Sequence, residues 1–369
     1  MTSTMTVTRR TLLPAAIALV LALALLPATP ANAVVTRQRI GGALNFPAAF
    51  TFTPDGSTIF YGELNTGQIR TMTSTGQSDS AFFTVPNIYN AGEDGLLGLA
   101  VHPAYPATPY VYAYVTRTDN GRKNQIVRIT DNAGNGENMT IIFESDTAAG
   151  EYHDGGHIAF GPDGKLYAVV GEAHGPANAQ NLNNDAGKIL RMNEDGSIPG
   201  DNPFDGSRIW SYGIRNSFGF GFDPLTGKLW ESENGPECND EINRIVKGRN
   251  YAWGPAETCS GNAPQNTNQN GPNRFMPKMY RVQTVAPTGV TFCDGCGLGA
   301  KSEGRMFFGE YNTGVIRRVT LTNSRNGSVT GWNNARYYAN GDGILSMEAA
   351  PDGRIYFSDS SGIYLLTRT

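Results

Sequence analysis

The segment FGPDGKLYAV, residues 160–169, joins a tight turn to an apolar strand and is the key to the fold. Pro162 presets the backbone φ angle, Asp163 can bond to its own backbone, and Gly164 accepts a positive φ. The alternating apolar residues around the turn are typical of β-strands. The segment therefore predicts two strands connected by a short turn.

Copies of this phrase recur along the whole chain. Close copies are FTPDGSTIFY (52–61) and APDGRIYF (350–357), and looser copies lie near positions 103, 224 and 303. Six copies leave about 56 residues each, enough for a four-stranded blade and its loops. Helical periodicity is weak after residue 34. We therefore predict an all-β, six-bladed β-propeller formed by residues 34–369 as a single domain, with a β-sandwich or β-helix as the alternative.

The composition excludes several classes of protein. The chain has 369 residues, 39% of them hydrophobic, a net charge of −4, 45 glycines and 21 prolines. Recurrent apolar runs argue against disorder, and the glycines show no collagen period. A mildly acidic chain lacks the basic surface expected of a nucleic-acid binder. We expect no nucleic-acid partner.

The amino terminus has the pattern of an export signal. Arg9 and Arg10 precede an apolar run over 12–26, and the small-x-small sequence at 31–33 suits signal peptidase. The run is shorter than the roughly 20 residues of a comfortable membrane span. We predict a signal peptide over residues 1–33, cleaved near Ala33, and a secreted or periplasmic (cell-wall space) protein without a membrane span afterwards. An uncleaved anchor is the alternative.

Four cysteines, all in the second half of the chain, fit an exported protein. Four cysteines allow three pairings, and we favour two local disulfides, Cys238–Cys259 and Cys293–Cys296. A four-cysteine zinc site is the competing interpretation, although 238 and 259 lack the close spacing usual in such sites.

Three segments between the turns carry residues suited to chemistry. His153 precedes two glycines and a repeat strand, and Glu172 lies just after the following strand. The two residues suit an imidazole general base that is oriented by an acid. A histidine that only bonds a loop carbonyl is the alternative. Arg215 and Asn216 can bind a carboxylate or a quinone oxygen, or they can cap a strand end.

The third segment, ENGPECNDEIN at 233–243, is rich in carboxylates, amides and Gly-Pro carbonyls. Such hard oxygen donors suit Ca²⁺. A solvated acidic turn is the alternative interpretation.

Several motifs occur together in one order. They are GEDGLLGLA (92–100), HDGG (153–156), GKILR (187–191), DNPF (201–204), YGIRN (212–216), ENGP (233–236), DEIN (240–243), GRNYAW (248–253) and APTG (286–289). In this order the chain resembles the glucose/sorbosone dehydrogenase family, the soluble aldose dehydrogenases that depend on pyrroloquinoline quinone (PQQ). The resemblance covers nearly all of residues 34–369.

The resemblance implies an enzyme that oxidises a sugar at its anomeric carbon, with hydride passing to PQQ and then to an electron acceptor. It assigns His153 as the general base and Glu172 as the acid that orients it. Arg215, also catalytic in this assignment, and Asn216 contact the quinone, and Glu93 lies near cofactor and sugar.

The resemblance also implies two calcium sites. The carbonyl groups of Gly235 and Pro236 match the ligands of the calcium ion that holds PQQ. Asp240, Glu241 and Tyr251 match a nearby structural calcium site.

The chain departs from the family at positions expected to bind the carboxylates of PQQ. Asn312 replaces a lysine, and Gly343-Ile344-Leu345 replaces an Arg-x-Arg sequence. Each lost charge-assisted hydrogen bond is worth roughly 1.5–3 kcal/mol. We therefore expect weaker PQQ binding unless another cation takes over, for which the candidates are Arg305, Arg317 and Arg318. Phe218 and His157 are two further departures.

These departures keep two other functions open. One is a non-catalytic propeller of the same family that binds a carbohydrate or a protein. The other is a propeller hydrolase of the lactonase kind that uses Ca²⁺ with Glu93 or Glu172.

Overall fold

A computed structural model of the chain describes residues 1–2, 34–77, 79–254, 279–281, 284–322, 325, 329–331 and 335–369. Over these residues the chain is built from 25 strands, with one short 3₁₀ helix at Pro176–Gln180. Residues Val34–Thr369 form one compact unit.

The strands form six small antiparallel sheets, each made mostly of strands consecutive in sequence. The first strand is β1 (Val35–Ile40). The first two blades contain β2 (Pro47–Phe52), β3 (Thr58–Glu63), β4 (Gln68–Thr73) and β5 (Ser80–Thr84), then β6 (Leu96–Val101), β7 (Tyr110–Arg117), β8 (Lys123–Asn132) and β9 (Asn135–Ala148). The next two contain β10 (Ile158–Phe160), β11 (Leu166–Val170), β12 (Lys188–Met192) and β13 (Ile209–Tyr212), then β14 (Gly219–Phe222), β15 (Leu229–Glu233), β16 (Asp240–Ile245) and β17 (Met279–Arg281). The last two contain β18 (Pro287–Phe292), β19 (Met306–Glu310), β20 (Val315–Leu321), β21 (Val329–Thr330) and β22 (Arg336–Ala339), then β23 (Ser346–Ala349), β24 (Ile355–Asp359) and β25 (Gly362–Arg368).

The two ends of the propeller chain meet in the sixth blade. Strand β1 pairs antiparallel with β25, from Val35 opposite Arg368 to Ile40 opposite Ile363. The blade therefore has the order β1-β25-β24-β23 and draws strands from both ends of the chain. This pairing closes the ring, and the predicted six-bladed β-propeller is confirmed.

The repeated phrase joins the first and second strands of every blade. In the three close copies Asp55, Asp163 and Asp352 each accept a hydrogen bond from the backbone N–H two residues further on. The glycine that follows has a positive φ, 72° at Gly164, which a side chain would make costly. The turn chemistry read from the sequence is therefore the chemistry that positions the strands.

The core lies between neighbouring blades. Strands β11, β19 and β24 are buried at every residue, as expected for central strands covered on both faces. Large side chains such as Trp230, Tyr112 and Tyr356 fill the space between blades. This packing fixes the six innermost strands around a central channel.

The channel has a different cavity at each mouth. The segments that enter the innermost strands line one cavity, including Phe218 before β14 and Thr288 at the start of β18. The ends of the same strands line the other, including Phe222 and Phe292. Glu348 and His157 lie at this second mouth, and burial lowers the pKa of His157 to about 4.

The cysteines are consistent with an exported protein. Cys293 and Cys296 form the predicted disulfide. Because their sulfur atoms are bonded to each other, this pair does not form part of a zinc site. Cys238 is also disulfide-bonded, and its predicted partner Cys259 lies outside the described residues.

The predicted signal peptide, residues 1–33, lies almost wholly outside the described residues and stays a prediction. In the part of the chain with assigned structure, no helix has the length and apolar character needed to cross a membrane.

Candidate active site

A cleft of about 500 Å³ opens at the channel mouth where the innermost strands begin. The loops that lead into these strands form its walls. Seven of the predicted site residues line the cleft, namely Glu93, His153, Arg215, Asn216, Gly235, Pro236 and Asp240. The ring therefore brings together residues that are far apart in the sequence, because the loops that enter three successive innermost strands, with Glu93, His153 and Arg215, meet the β15–β16 loop at this mouth.

His153 is held in an unusual backbone conformation. Its φ is 67°, in the left-handed region that non-glycine residues seldom adopt. Its N–H donates to Glu93 Oε2 at 2.8 Å, and its carbonyl accepts from the N–H of Ala173 at 3.0 Å. A Cβ at Gly171 would lie 2.0 Å from the His153 carbonyl oxygen, so only glycine allows this close approach.

The His153 ring is paired with a buried acid. Its Nδ1 forms a hydrogen bond with Glu172 Oε1, and the Glu172 side chain is fully buried. A carboxylate that accepts the Nδ1–H leaves Nε2 as the basic nitrogen and stabilises the charge that protonation creates. The His174 ring packs 4.3 Å from that of His153 and limits its rotation. The geometry is that of an oriented general base.

Glu93 and Asn216 line the cleft beside this base. Glu93 Oε2 accepts from Asn216 Nδ2 at 2.9 Å, and Asn216 Oδ1 accepts from the Gly155 N–H at 3.2 Å. Burial raises the pKa of Glu93 above its ordinary value. The two side chains thus tie together the loops of three blades.

Arg215 supplies the positive charge of the cleft. Its backbone N–H donates to Glu233 Oε1 at 2.6 Å, its guanidinium donates to the Asn234 carbonyl at 3.0 Å, and it lies over the Trp253 ring. Among the described residues that line the cleft, it is the one side chain with a permanent positive charge. A single fixed cation favours an anionic or strongly polar ligand group.

The loop with the Gly235 and Pro236 carbonyls is shaped by Asp240. Asp240 accepts backbone N–H groups from Gly235, Val285 and Ala286. A Cβ at Gly235 would lie 1.9 Å from the Cys238 carbonyl oxygen, so the turn requires glycine. Asp240 Oδ1 holds this loop, and Asp240 Oδ2 ties it to the segment before β18.

Three buried carboxylates lie next to that loop. Asn243 Nδ2 lies 3.2 Å from Glu231 Oε2, 3.1 Å from Glu233 Oε2 and 3.2 Å from Glu241 Oε2. One amide group with two hydrogens cannot balance three buried negative charges. Burial raises the pKa of Glu231 and of Glu233, and the neighbouring carboxylates raise that of Glu233 further.

This cluster fits a calcium ion. Glu231 Oε1 is buried with no hydrogen-bond partner, as is Asn243 Oδ1, and both are hard oxygen donors. Of the predicted metal ligands, Glu241 belongs to the cluster. The Tyr251 hydroxyl donates to the Arg244 carbonyl and accepts from the Val246 N–H.

The sequence analysis missed Glu231, and it included Glu233 and Asn243 only as the ends of the Ca²⁺ candidate segment 233–243. A usable signal was present, because acids at 231 and 233 alternate on β15 and face Asn243 and Glu241 on β16. Alternation by two places all four side chains on one face. Recognising this required the pairing register of the two strands.

The positions of the missing family cations do face the cleft. Asn312 and Leu345 both line it, and Phe218 adds an aromatic wall. Arg317 instead makes a buried, two-pronged pair with Glu310 at 2.9 Å, and Arg318 donates to Ser302. Neither they nor Arg305 are among the described lining residues, so none replaces the lost charges there.

The fold and this cleft define a six-bladed propeller with an oriented histidine–carboxylate pair at one mouth of its channel. Residues 44–366 match the family described as Glucose / Sorbosone dehydrogenase, and the chain belongs to that family.

Two relatives illustrate the similarity in sequence. The chain is 28% identical over 349 residues to the aldose sugar dehydrogenase YliI of Escherichia coli, covering 90% of this chain and 92% of the relative. It is 37% identical over 243 residues to quinoprotein glucose dehydrogenase B of Acinetobacter calcoaceticus, covering 57% of this chain and 50% of the relative. The match thus spans half the length of the second relative.

Two solved structures of aldose sugar dehydrogenases superpose on this chain. The PQQ-bound aldose sugar dehydrogenase from Streptomyces coelicolor superposes with a TM-score of 0.77 at 26% identity, covering 93% of this chain and 100% of that one. The apo form of the soluble E. coli aldose sugar dehydrogenase gives 0.80 at 25% identity, covering 91% and 99%.

Proposed function

We propose that this protein is an exported aldose dehydrogenase that oxidises a sugar at its anomeric carbon, using PQQ and Ca²⁺. The observation that carries the proposal is the His153–Glu172 pair, which presents an oriented imidazole to a cleft that also contains Arg215 and Asn216. This arrangement suits removal of a proton from a bound hydroxyl group.

His153 performs the proton transfer in this proposal. Its Nε2 takes the proton of the anomeric hydroxyl while the C1–H bond breaks and the sugar becomes a lactone. Glu172 stabilises the resulting imidazolium, and Glu93 fixes the His153 backbone during the step. When bound, PQQ supplies the two-electron acceptor for the hydride.

Arg215 and Asn216 are the residues placed to hold the quinone end of the cofactor. Arg215 offers a positive charge and Asn216 an amide in the same cleft wall. The Gly235 and Pro236 carbonyls would hold the cofactor's calcium, and Glu231, Glu233 and Glu241 would hold a second ion behind that loop.

A non-catalytic, ligand-binding propeller is the second candidate function. Asn312 and Leu345 give their part of the cleft wall no cationic side chain, and Arg317 is bound to Glu310. A neutral sugar would tolerate such a wall better than a tricarboxylate would.

Titration of PQQ into the protein lacking residues 1–33 separates the two candidates. We expect calcium-dependent binding with a micromolar or lower Kd by calorimetry, followed by sugar-dependent reduction of an artificial electron acceptor. A repeat with EDTA in place of Ca²⁺ is the control. Sugar binding without any PQQ binding would contradict the dehydrogenase and favour the second candidate.

Calcium should stabilise the protein through the three-carboxylate cluster. At a Ca²⁺ concentration of about 100 Kd, ligand binding adds about 2.7 kcal/mol to the free energy of unfolding. Glu231→Gln should remove most of the Ca²⁺-induced rise in Tm, measured by thermal unfolding without PQQ. Glu348→Gln, a partly buried acid at the opposite mouth, should keep that rise. An unchanged rise in Glu231→Gln would place the ion elsewhere.

A further inference from the structure

Two buried aspartates lie directly behind the cleft. Asp94 follows Glu93 in one loop, and Asp154 follows His153 in another, and both aspartates have 0% exposure. Each loop therefore directs one residue into the cleft and the next residue into the interior. The backbone N–H of Glu93 also donates to the Glu151 carbonyl, which keeps the loops side by side.

The carboxyl groups of Asp94 and Asp154 lie close enough behind the two loops to interact electrostatically. Asp154 Oδ1 accepts from Asn124 Nδ2 at 2.7 Å and from the Gly150 N–H at 3.2 Å. Among the described groups, Asp154 Oδ2 and both Asp94 oxygens are buried with no hydrogen-bond partner, and the neighbouring Thr116 hydroxyl donates to Asn124 Oδ1 at 2.8 Å. Ionised carboxylates only accept hydrogen bonds, so a bond between the two needs a proton on one of them.

The surroundings balance one negative charge and not two. The Arg122 guanidinium lies 3.9 Å from Asp94 Oδ2 and is 32% exposed. The other groups that face the pair are Thr116 and Asn124, the Tyr114 hydroxyl, which donates to the Asp154 carbonyl, and the Glu93 carboxyl in front. Two carboxylates in contact away from water cannot both ionise readily.

We propose that Asp94 and Asp154 share one proton and form a positioning pair that locks the His153 loop against the Glu93 loop. The catalytic part of this inference rests on the proposed function, whereas the shared proton does not. His153 is held at a positive φ, which persists only where neighbouring contacts enforce it. Glu93 accepts a hydrogen bond from the His153 N–H on the cleft side. The proton shared by the aspartates holds Asp154, the residue that follows His153.

The shared proton makes the stability of the fold depend on pH. Burial and the Asp154 charge raise the pKa of Asp94 from 3.8 to about 8, and burial also raises that of Asp154. A raised folded-state pKa means that the folded chain keeps a proton that the unfolded chain releases above about pH 4. The stabilisation is therefore complete below pH 4 and is lost as the pH rises toward 8.

Thermal unfolding tests the shared proton without cofactor or sugar. In Asp94→Asn an amide N–H can replace the proton. We therefore expect the Tm of this variant minus the Tm of the wild type to increase by about 2–4 °C from pH 5 to pH 9. Asp94→Leu has no donor and should be less stable at both pH values. The infrared difference spectrum of the wild type minus Asp94→Asn at pH 7 should contain a protonated-carboxyl band. Parallel pH profiles and no such band would overturn the shared proton.

The pH dependence of turnover tests the positioning role. We expect kcat of the wild type to fall above pH 8, Asp94→Asn to keep its kcat there, and Asp94→Leu to lose about 10- to 100-fold at pH 7. Glu348→Gln is the matched control, because its carboxyl also has a pKa raised to about 8 by burial but lies at the other mouth. It should change the stability profile and leave the kcat profile unchanged. Equal kcat in Asp94→Leu and the wild type would overturn the positioning role, and turnover absent from every variant would instead reject the proposed function.

Discussion

His153→Ala is expected to lower kcat for sugar oxidation by about 10²–10⁴-fold, the usual contribution of a positioned general base. The reason is the geometry of the ring, whose Nδ1 is held by the buried Glu172 while the ring borders the cleft. The affinity for PQQ should change little, because Arg215, Asn216 and the Gly235 loop remain. Steady-state kinetics with an artificial acceptor and a PQQ titration measure the two effects separately.

The chain contains a matched control for this substitution. His102 Nε2 pairs with Glu194 Oε2 at 2.6 Å, which is also a histidine–carboxylate contact. It lies in the turn between β6 and β7 and does not line the cleft. His102→Ala should therefore leave kcat near the wild-type value. A loss of PQQ binding equal to the loss of kcat in His153→Ala would show that the histidine binds the cofactor and is not the base.

The fold was predictable because its signal is local. Each Pro-Asp-Gly turn specifies its own backbone through an aspartate that bonds two residues ahead and a glycine at positive φ. Six copies then imply six hairpins. The pairing of β1 with β25 could not be inferred in this way, because it joins opposite ends of the chain.

The site was predictable where residues in the same segment or in adjoining segments act together, as His153 and Glu172 do. Arg215 with Asn216 and Gly235 with Pro236 form such pairs, and both line the cleft. The Glu231–Asn243 contact and the Asp94–Asp154 contact depend on which strands or loops meet in space. No spacing rule along a single segment reveals them, so the buried charges of this protein became visible only in the structure.

Asn312→Lys is expected to tighten PQQ binding by about 10- to 100-fold. Asn312 lines the cleft, and a lysine there restores one charge-assisted hydrogen bond to a carboxylate, worth roughly 1.5–3 kcal/mol. Because the new contact is electrostatic, the gain should shrink as salt rises. Calorimetric Kd values at low and high ionic strength measure it.

The control for Asn312→Lys must carry the same charge away from the cleft. Asn135 is exposed at the start of β9 in the outer hairpin of its blade, so Asn135→Lys changes the net charge alone. Its Kd should stay at the wild-type value. Equal Kd values for all three proteins would show that the cofactor's carboxylates do not reach position 312. If Asn312→Lys binds PQQ and the wild type does not, the cleft has kept the shape of a quinone site but lacks the positive charge needed to bind the cofactor's carboxylates. This is the outcome that the non-catalytic alternative requires.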